Sequence, residues 1–187
     1  MDWLLNSLFI ILQKNHFTKK VKGNLLKCIE KLPPRGVIFQ IGVMMPRDFN
    51  GLRICTSMRA DYYLSYLDKI GWIGSFNHLE DILNNLRKYV DAFFLDFDVE
   101  EKIFQTLGIE CCYRMGKDTL HKLEKFLDYL TSRNLCTKEK ACLILSWCTI
   151  DKDFQKTLSH IKIVLPPSHV LKAKAYLAIS NLPVKIT

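Results

Sequence analysis

No two of the seven cysteines in this chain stand in a CxxC pair. That spacing brings two thiolates onto one zinc ion or into one redox dithiol, so its absence argues against both. Cys28, Cys55, Cys111, Cys112, Cys136, Cys142 and Cys148 are odd in number and several lie in apolar runs. They read as reduced thiols acting as small hydrophobes, which points to a reducing cytoplasm. The histidines, His16, His78, His121, His160 and His169, form no HxxxH or HExxH pattern, and neither a metal nor a cofactor is expected.

Long apolar runs are missing as well, and no segment reaches the length of a membrane span. The opening "MDWLLNSLFIILQKN" has an apolar run of signal-peptide length, but it starts with Asp2 and offers no small-residue cleavage site. Trp3 to Gln13 is expected to form a buried or partner-docking helix; interfacial membrane binding is the alternative, because the next segment is basic. Acidic residues are absent from that segment, "KNHFTKKVKGNLLK" (Lys14 to Lys27). It reads as a solvated helix face or arm, or as a nucleic-acid contact. The whole chain carries a net charge of +8, which favours an acidic partner.

What is present suits one globular domain. In a chain of 187 residues with 49% hydrophobic and 25% charged residues, folding buries roughly 70% of the unfolded surface. Three hairpins are expected, over residues 36–58, 90–114 and 159–179, following an N-terminal helical segment over 1–33. "GVIFQIGVMM" and "LRICTSM" make the first, joined by "PRDFNG". "VDAFFLDFDV" and "LGIECCYR" make the second, and "SHIKIVLPPSHVLKAKAYLAI", broken by its prolines, makes the third.

Helical spacing intervenes. Tyr63, Leu64, Tyr66 and Leu67 give one stripe, Leu79, Ile82, Leu83 and Leu86 a second, and Leu120, Leu123, Leu127 and Leu130 a third. Thr137 is placed to cap a further helix, "TKEKACLILSWC", and "DKDFQKTL" is expected to be a short one. The fold class is α+β: a predominantly antiparallel sheet of about six strands with helices packed on one face, in a single domain over 1–187.

Strand side chains alternate between faces. In the first hairpin Val37, Phe39, Ile41, Val43, Leu52 and Ile54 share the apolar face, leaving Gln40, Gly42, Arg53, Cys55 and Ser57 opposite. Phe93, Leu95, Phe97 and Val99 oppose Asp96 and Asp98; Ile109, Cys111 and Tyr113 oppose Glu110, Cys112 and Arg114. Ile161, Ile163, Leu165, Ala173, Ala175, Leu177 and Ile179 oppose His160, Lys162, Lys172, Lys174 and Tyr176. The polar face therefore has carboxylates in the middle and bases at the flanks. It either meets water, with ordinary cross-strand pairs such as Asp96 or Glu110 with Arg53, or forms a site. In the second case Arg53, His160, Lys162, Lys172, Lys174 and Tyr176 hold an anion or partner, and Asp96, Asp98 or Glu110 are the catalytic candidates. "LDFD" offers oxygen ligands without a nearby histidine, and Cys112 is a candidate nucleophile beside Glu110 and Arg114.

The order strand, strand, helix with Arg and Lys on the polar face resembles the αββα barrel of aromatic prenyltransferases, whose strand-borne bases hold a prenyl diphosphate. The resemblance implies that a homodimer, or further sequence, completes the barrel. "QIGVMMPRDFNGLRIC", "LDFDVEEKIFQTLGIEC", "NLCTKEKACLILSWC" and "SHIKIVLPPSHVLKAKAYL" are similar to runs in an uncharacterised bacterial family associated with gene neighbourhoods for ribosomally made, modified peptides.

Three functions stand as expectations. One is a non-catalytic binding or accessory protein engaging an acidic peptide or protein through the basic sheet face. A second is a group transferase with an anionic, diphosphate-type donor. The third is nucleic-acid binding through Lys14 to Lys27.

Overall fold

The computed structural model describes residues 18–43, 51–114, 118–148 and 154–181. The expected helix Trp3 to Gln13, the start of the basic run and most of the "PRDFNG" turn lie outside the described residues. Within them the chain runs α1 (Lys19–Glu30), β1 (Val37–Val43), β2 (Leu52–Ser57), a 3-10 turn, α2 (Tyr63–Ile70), α3 (Phe76–Leu86), β3 (Ala92–Val99), β4 (Ile103–Cys112), α4 (Thr119–Ser132), α5 (Lys138–Trp147), β5 (Phe154–Leu165) and β6 (Lys172–Asn181). The six strands form one antiparallel sheet in chain order, and the class is α+β as the sequence implies. Contacts divide the chain into two compact units, Met1–Phe76 with Leu95–Leu107 and Asn77–Phe94 with Gly108–Thr187. Each is described by itself.

In the first unit, Leu52 and Ile54 of β2 and Leu95, Phe97 and Val99 of β3 are buried. The Tyr66 ring in α2 lies 6.4 Å from that of Phe97, and its hydroxyl donates to the Cys28 carbonyl at 3.0 Å, tying α2 to α1. Helix α2 stops at Gly71, which takes a left-handed φ of 85°. Gly71 N donates to Asp68 O and Trp72 N to Leu67 O, both at 2.9 Å. Those two bonds are a Schellman closure, and glycine adopts its conformation at no steric cost. The buried Trp72 donates through Nε1 to Gln105 O at 3.0 Å.

The first hairpin corrects the parity reading. Pairing runs Val43↔Leu52, Ile41↔Ile54, Gln40↔Cys55 and Ile38↔Thr56, with a register shift between Ile38 and Gln40. The extra residue, Phe39, is a bulge, so beyond it every side chain changes face. Ile38, rather than Val37 or Phe39, joins the apolar face, and Val37 and Phe39 are exposed.

In the second unit the Leu79, Ile82, Leu83 and Leu86 stripe of α3 is buried as the spacing implies. On α4 the buried set is Leu123, Phe126, Leu127 and Leu130; Leu120 is exposed. Phe126 takes its place and stacks with Tyr89 and Tyr129 at ring distances of 5.9 and 6.4 Å. Thr137 does cap α5, its Oγ1 accepting from Lys140 N at 3.3 Å.

The expected short helix over "DKDFQKTL" is overturned in its described part, residues 151–153 lying outside: Phe154–Leu158 are strand, the first residues of β5. They pair with Leu177–Asn181, so both strands of the third hairpin are longer than 159–179. Trp147 Nε1 donates to Thr157 O at 3.2 Å and helps pin this extension. Strand β4 likewise begins earlier than "LGIECCYR", at Ile103, directly after a reversal over residues 100–102 in which Glu100 N donates to Lys102 O at 3.0 Å.

Candidate functional site

In the first unit, β2 and β3 bring Arg53 against the two aspartates of "LDFD". Arg53 Nε and Nη2 donate to Asp98 Oδ1 and Oδ2, each at 2.8 Å. Nε is 3.9 Å from Asp96 Oδ1. This fork is the bidentate geometry that guanidinium and carboxylate favour. The Asp98 hydrogen bonds make Arg53 still harder to deprotonate than usual. Parity held here, since Leu95 and Phe97 face one way and Asp96 and Asp98 the other, yet Asp96 is only 3% exposed. Both oxygens of Asp98 are engaged by Arg53, which leaves "LDFD" poorly suited to a cation. Among the described residues no group of three or more His, Cys, Asp or Glu side chains gathers as a metal site would need.

The second unit holds the other candidates, Glu110 on β4, His160 and Lys162 on β5, and Lys172, Lys174 and Tyr176 on β6. Their alignment depends on a second bulge, at Ser159. The register shifts between Leu158 and His160, and from there His160↔Tyr176, Lys162↔Lys174 and Val164↔Lys172 stand directly opposite. Opposite residues of an antiparallel pair share a face, so the five expected together are together. The His160 and Tyr176 rings stack at 4.3 Å and 20°. Glu110 Oε1 lies 3.9 Å from His160 Nε2 and 4.0 Å from Lys162 Nζ. Glu110 thus faces Lys162 and His160, where the sequence reading suggested Arg53.

The electrostatics of this patch are uneven. Lys162 is 8% exposed, whereas Lys172 and Lys174 are exposed. Two lysines placed directly opposite each other repel, and Glu110 offsets that repulsion from the Lys162 side. Among the described residues, no carboxylate pairs with Lys172 or Lys174. Cys112, the candidate nucleophile, is pushed up to about 11 by burial, with the Glu110 charge adding to it. It is a protonated thiol at neutral pH, which speaks against nucleophilic use.

Two arrangements had no sequence signal. Asp91 accepts from Arg114 N at 3.0 Å and from the Lys122 ammonium, and Lys122 foremost holds its carboxyl below the usual range. His78 and His169 Nδ1 atoms are 2.9 Å apart, so one ring donates and the other accepts. Their separation of 91 residues hides the pair from any local reading. A cavity of about 200 Å³ lies beside β5 and β6, lined by Leu127, Leu130, Ile144 and Ile161 together with Lys140 and Lys174.

No helix among the described residues is long and apolar enough to cross a membrane. No family model, no curated protein and no solved structure matches this chain, so the functional reading rests on the chemistry of these two patches.

Proposed function

We propose that this protein is a binding or accessory module that engages an acidic segment of a peptide or protein through the β5–β6 face. The observation that carries this reading is the opposition of Lys162 and Lys174 beside an exposed Lys172, with Glu110 near Lys162. An anionic chain laid along β6 supplies a countercharge for Lys172 and Lys174, with which no carboxylate pairs among the described residues. The stacked Tyr176 gives such a chain a flat, partly apolar surface beside the charges.

A diphosphate-type transferase would draw on Arg53, Lys162, Lys172 and Lys174 together. Arg53 is engaged by Asp98 and Lys162 faces Glu110, which favours binding over that chemistry.

A dye-labelled Glu-rich decapeptide tests the reading. Wild-type affinity should fall with added salt, as exposed charge contacts do. The double variant Lys172→Glu with Lys174→Glu should weaken binding by roughly a hundredfold while thermal unfolding stays close to wild type. Binding that is indifferent to both changes would remove this face from the account.

A further inference from the structure

We infer that β6 pairs edge to edge with the β6 of a second copy of this chain, antiparallel, about a two-fold axis at Tyr176. This inference stands on the strand itself and does not rest on the binding reading. β6 is last in the sheet order, so among the described residues no strand pairs with its outer edge. Natural edges of this length are protected by charge, proline, bulges or shortness. β6 runs ten residues, KAKAYLAISN, and its bulge partner lies in β5. Its only charges, Lys172 and Lys174, sit at the N-terminal end. The remainder is uncharged, and Tyr176, Leu177 and Ile179 are 40, 46 and 60% exposed.

A strand protected at one end and bare at the other is complementary to its own reverse. With the axis at Tyr176, Lys172 meets the partner's Ser180, Ala173 its Ile179, Lys174 its Ala178, Ala175 its Leu177, and Tyr176 itself. Each exposed Leu177 and Ile179 then lies beside an alanine, and no lysine opposes a lysine. Faces match across a pair only when the two residue numbers sum to an even value, because side chains alternate. That leaves few alternatives. An axis at Ala173 sets Lys172 against Lys174, and one at Lys174 sets that lysine against itself. An axis at Ala175 confines pairing to residues 172–178 and strands Ile179. An axis at Leu177 moves Ala173 opposite Asn181, away from the apolar set. In the favoured register both copies present Lys174 and Tyr176 on one shared face, which widens the basic surface without adding a residue.

Sedimentation equilibrium of the full chain, from micromolar to submillimolar, reads this directly. Wild type is expected at twice the 21.8 kDa monomer mass at the upper end. Ala178→Lys places two symmetric lysine pairs at the join and should raise the dimer dissociation constant about tenfold. Ala178→Glu places a carboxylate against each Lys174 and should lower it, with greater sensitivity to salt. Wild type that is monomeric throughout overturns the proposal. So does a dimer that responds to Lys and Glu at 178 in the same direction, since that excludes this register. Should Ala178→Lys fail to fold, by circular dichroism, the wild-type mass and the Ala178→Glu shift decide the matter.

Discussion

Glu110 is the residue on which the two chemical readings of the β5–β6 face diverge. Its carboxylate is within 4.0 Å of Lys162 and faces His160, and Lys162 in turn stands opposite Lys174. As a countercharge, Glu110 limits the positive charge of the face. As a general base, it would be the origin of turnover. Glu110→Gln keeps the shape and removes the charge. Under the binding account the variant loses about 1 kcal/mol of stability, because the lysine opposition loses the Glu110 countercharge, and it binds an acidic peptide severalfold more tightly. Chemical denaturation and peptide titration measure both. Under an enzymatic account product formation falls by roughly two to four orders of magnitude with affinity little changed. The sequence placed Glu110, His160, Lys162, Lys172, Lys174 and Tyr176 on one face by parity alone; the β5–β6 register brings the last five together, and Glu110 lies near His160 and Lys162. What parity did not supply was the pairing, since which carboxylate meets which cation depends on strand order and register. For that reason Arg53 faces Asp98 and not Glu110.

Among the elements, the strands were most legible where alternation was unbroken and least where a bulge intervened. "FFLDFD" alternates without interruption, and its two faces are as read. Phe39 and Ser159 each add one residue to a strand, and no composition cue marks either. Bulges that change every later side chain's face are set by cross-strand packing, which a single strand's sequence does not contain. Phe154–Leu158 make the same point, because their mixed pattern resembles a short helix until Leu177–Asn181 of β6 stand ready to pair with them. Helix α5 shows the opposite case, in which local chemistry governs. It has no buried residue among those assigned to it, and its N-terminal hydrogen bond comes from Thr137. Thr137→Ala should cost about 1 kcal/mol. Because so little of α5 is packed, the loss is expected as local opening. Hydrogen exchange should accelerate at the amides of Lys140 to Leu143, with smaller changes at the buried residues of α4. Uniform acceleration across the second unit would show that the cap supports more than its own helix.

At the level of the whole molecule, a net charge of +8 says little until its placement is known. Lys20 pairs with Glu101 at 3.8 Å, Arg53 with Asp98, and Lys122 with Asp91. These pairs neutralise cations that composition alone would count toward an anion site. Among the described residues no carboxylate pairs with Lys172 or Lys174, and they lie on a strand whose outer edge no described strand covers. We propose that an acidic partner settles there and not on the basic helix α1. Residue-resolved amide and side-chain NMR of the full chain, titrated with the Glu-rich decapeptide, tests that most directly. The account predicts shifts concentrated at Lys162, Lys172, Lys174 and Tyr176, diminishing together as salt is raised. Shifts confined to Lys19, Lys20, Lys22 and Lys27, with β5 and β6 silent, would contradict it.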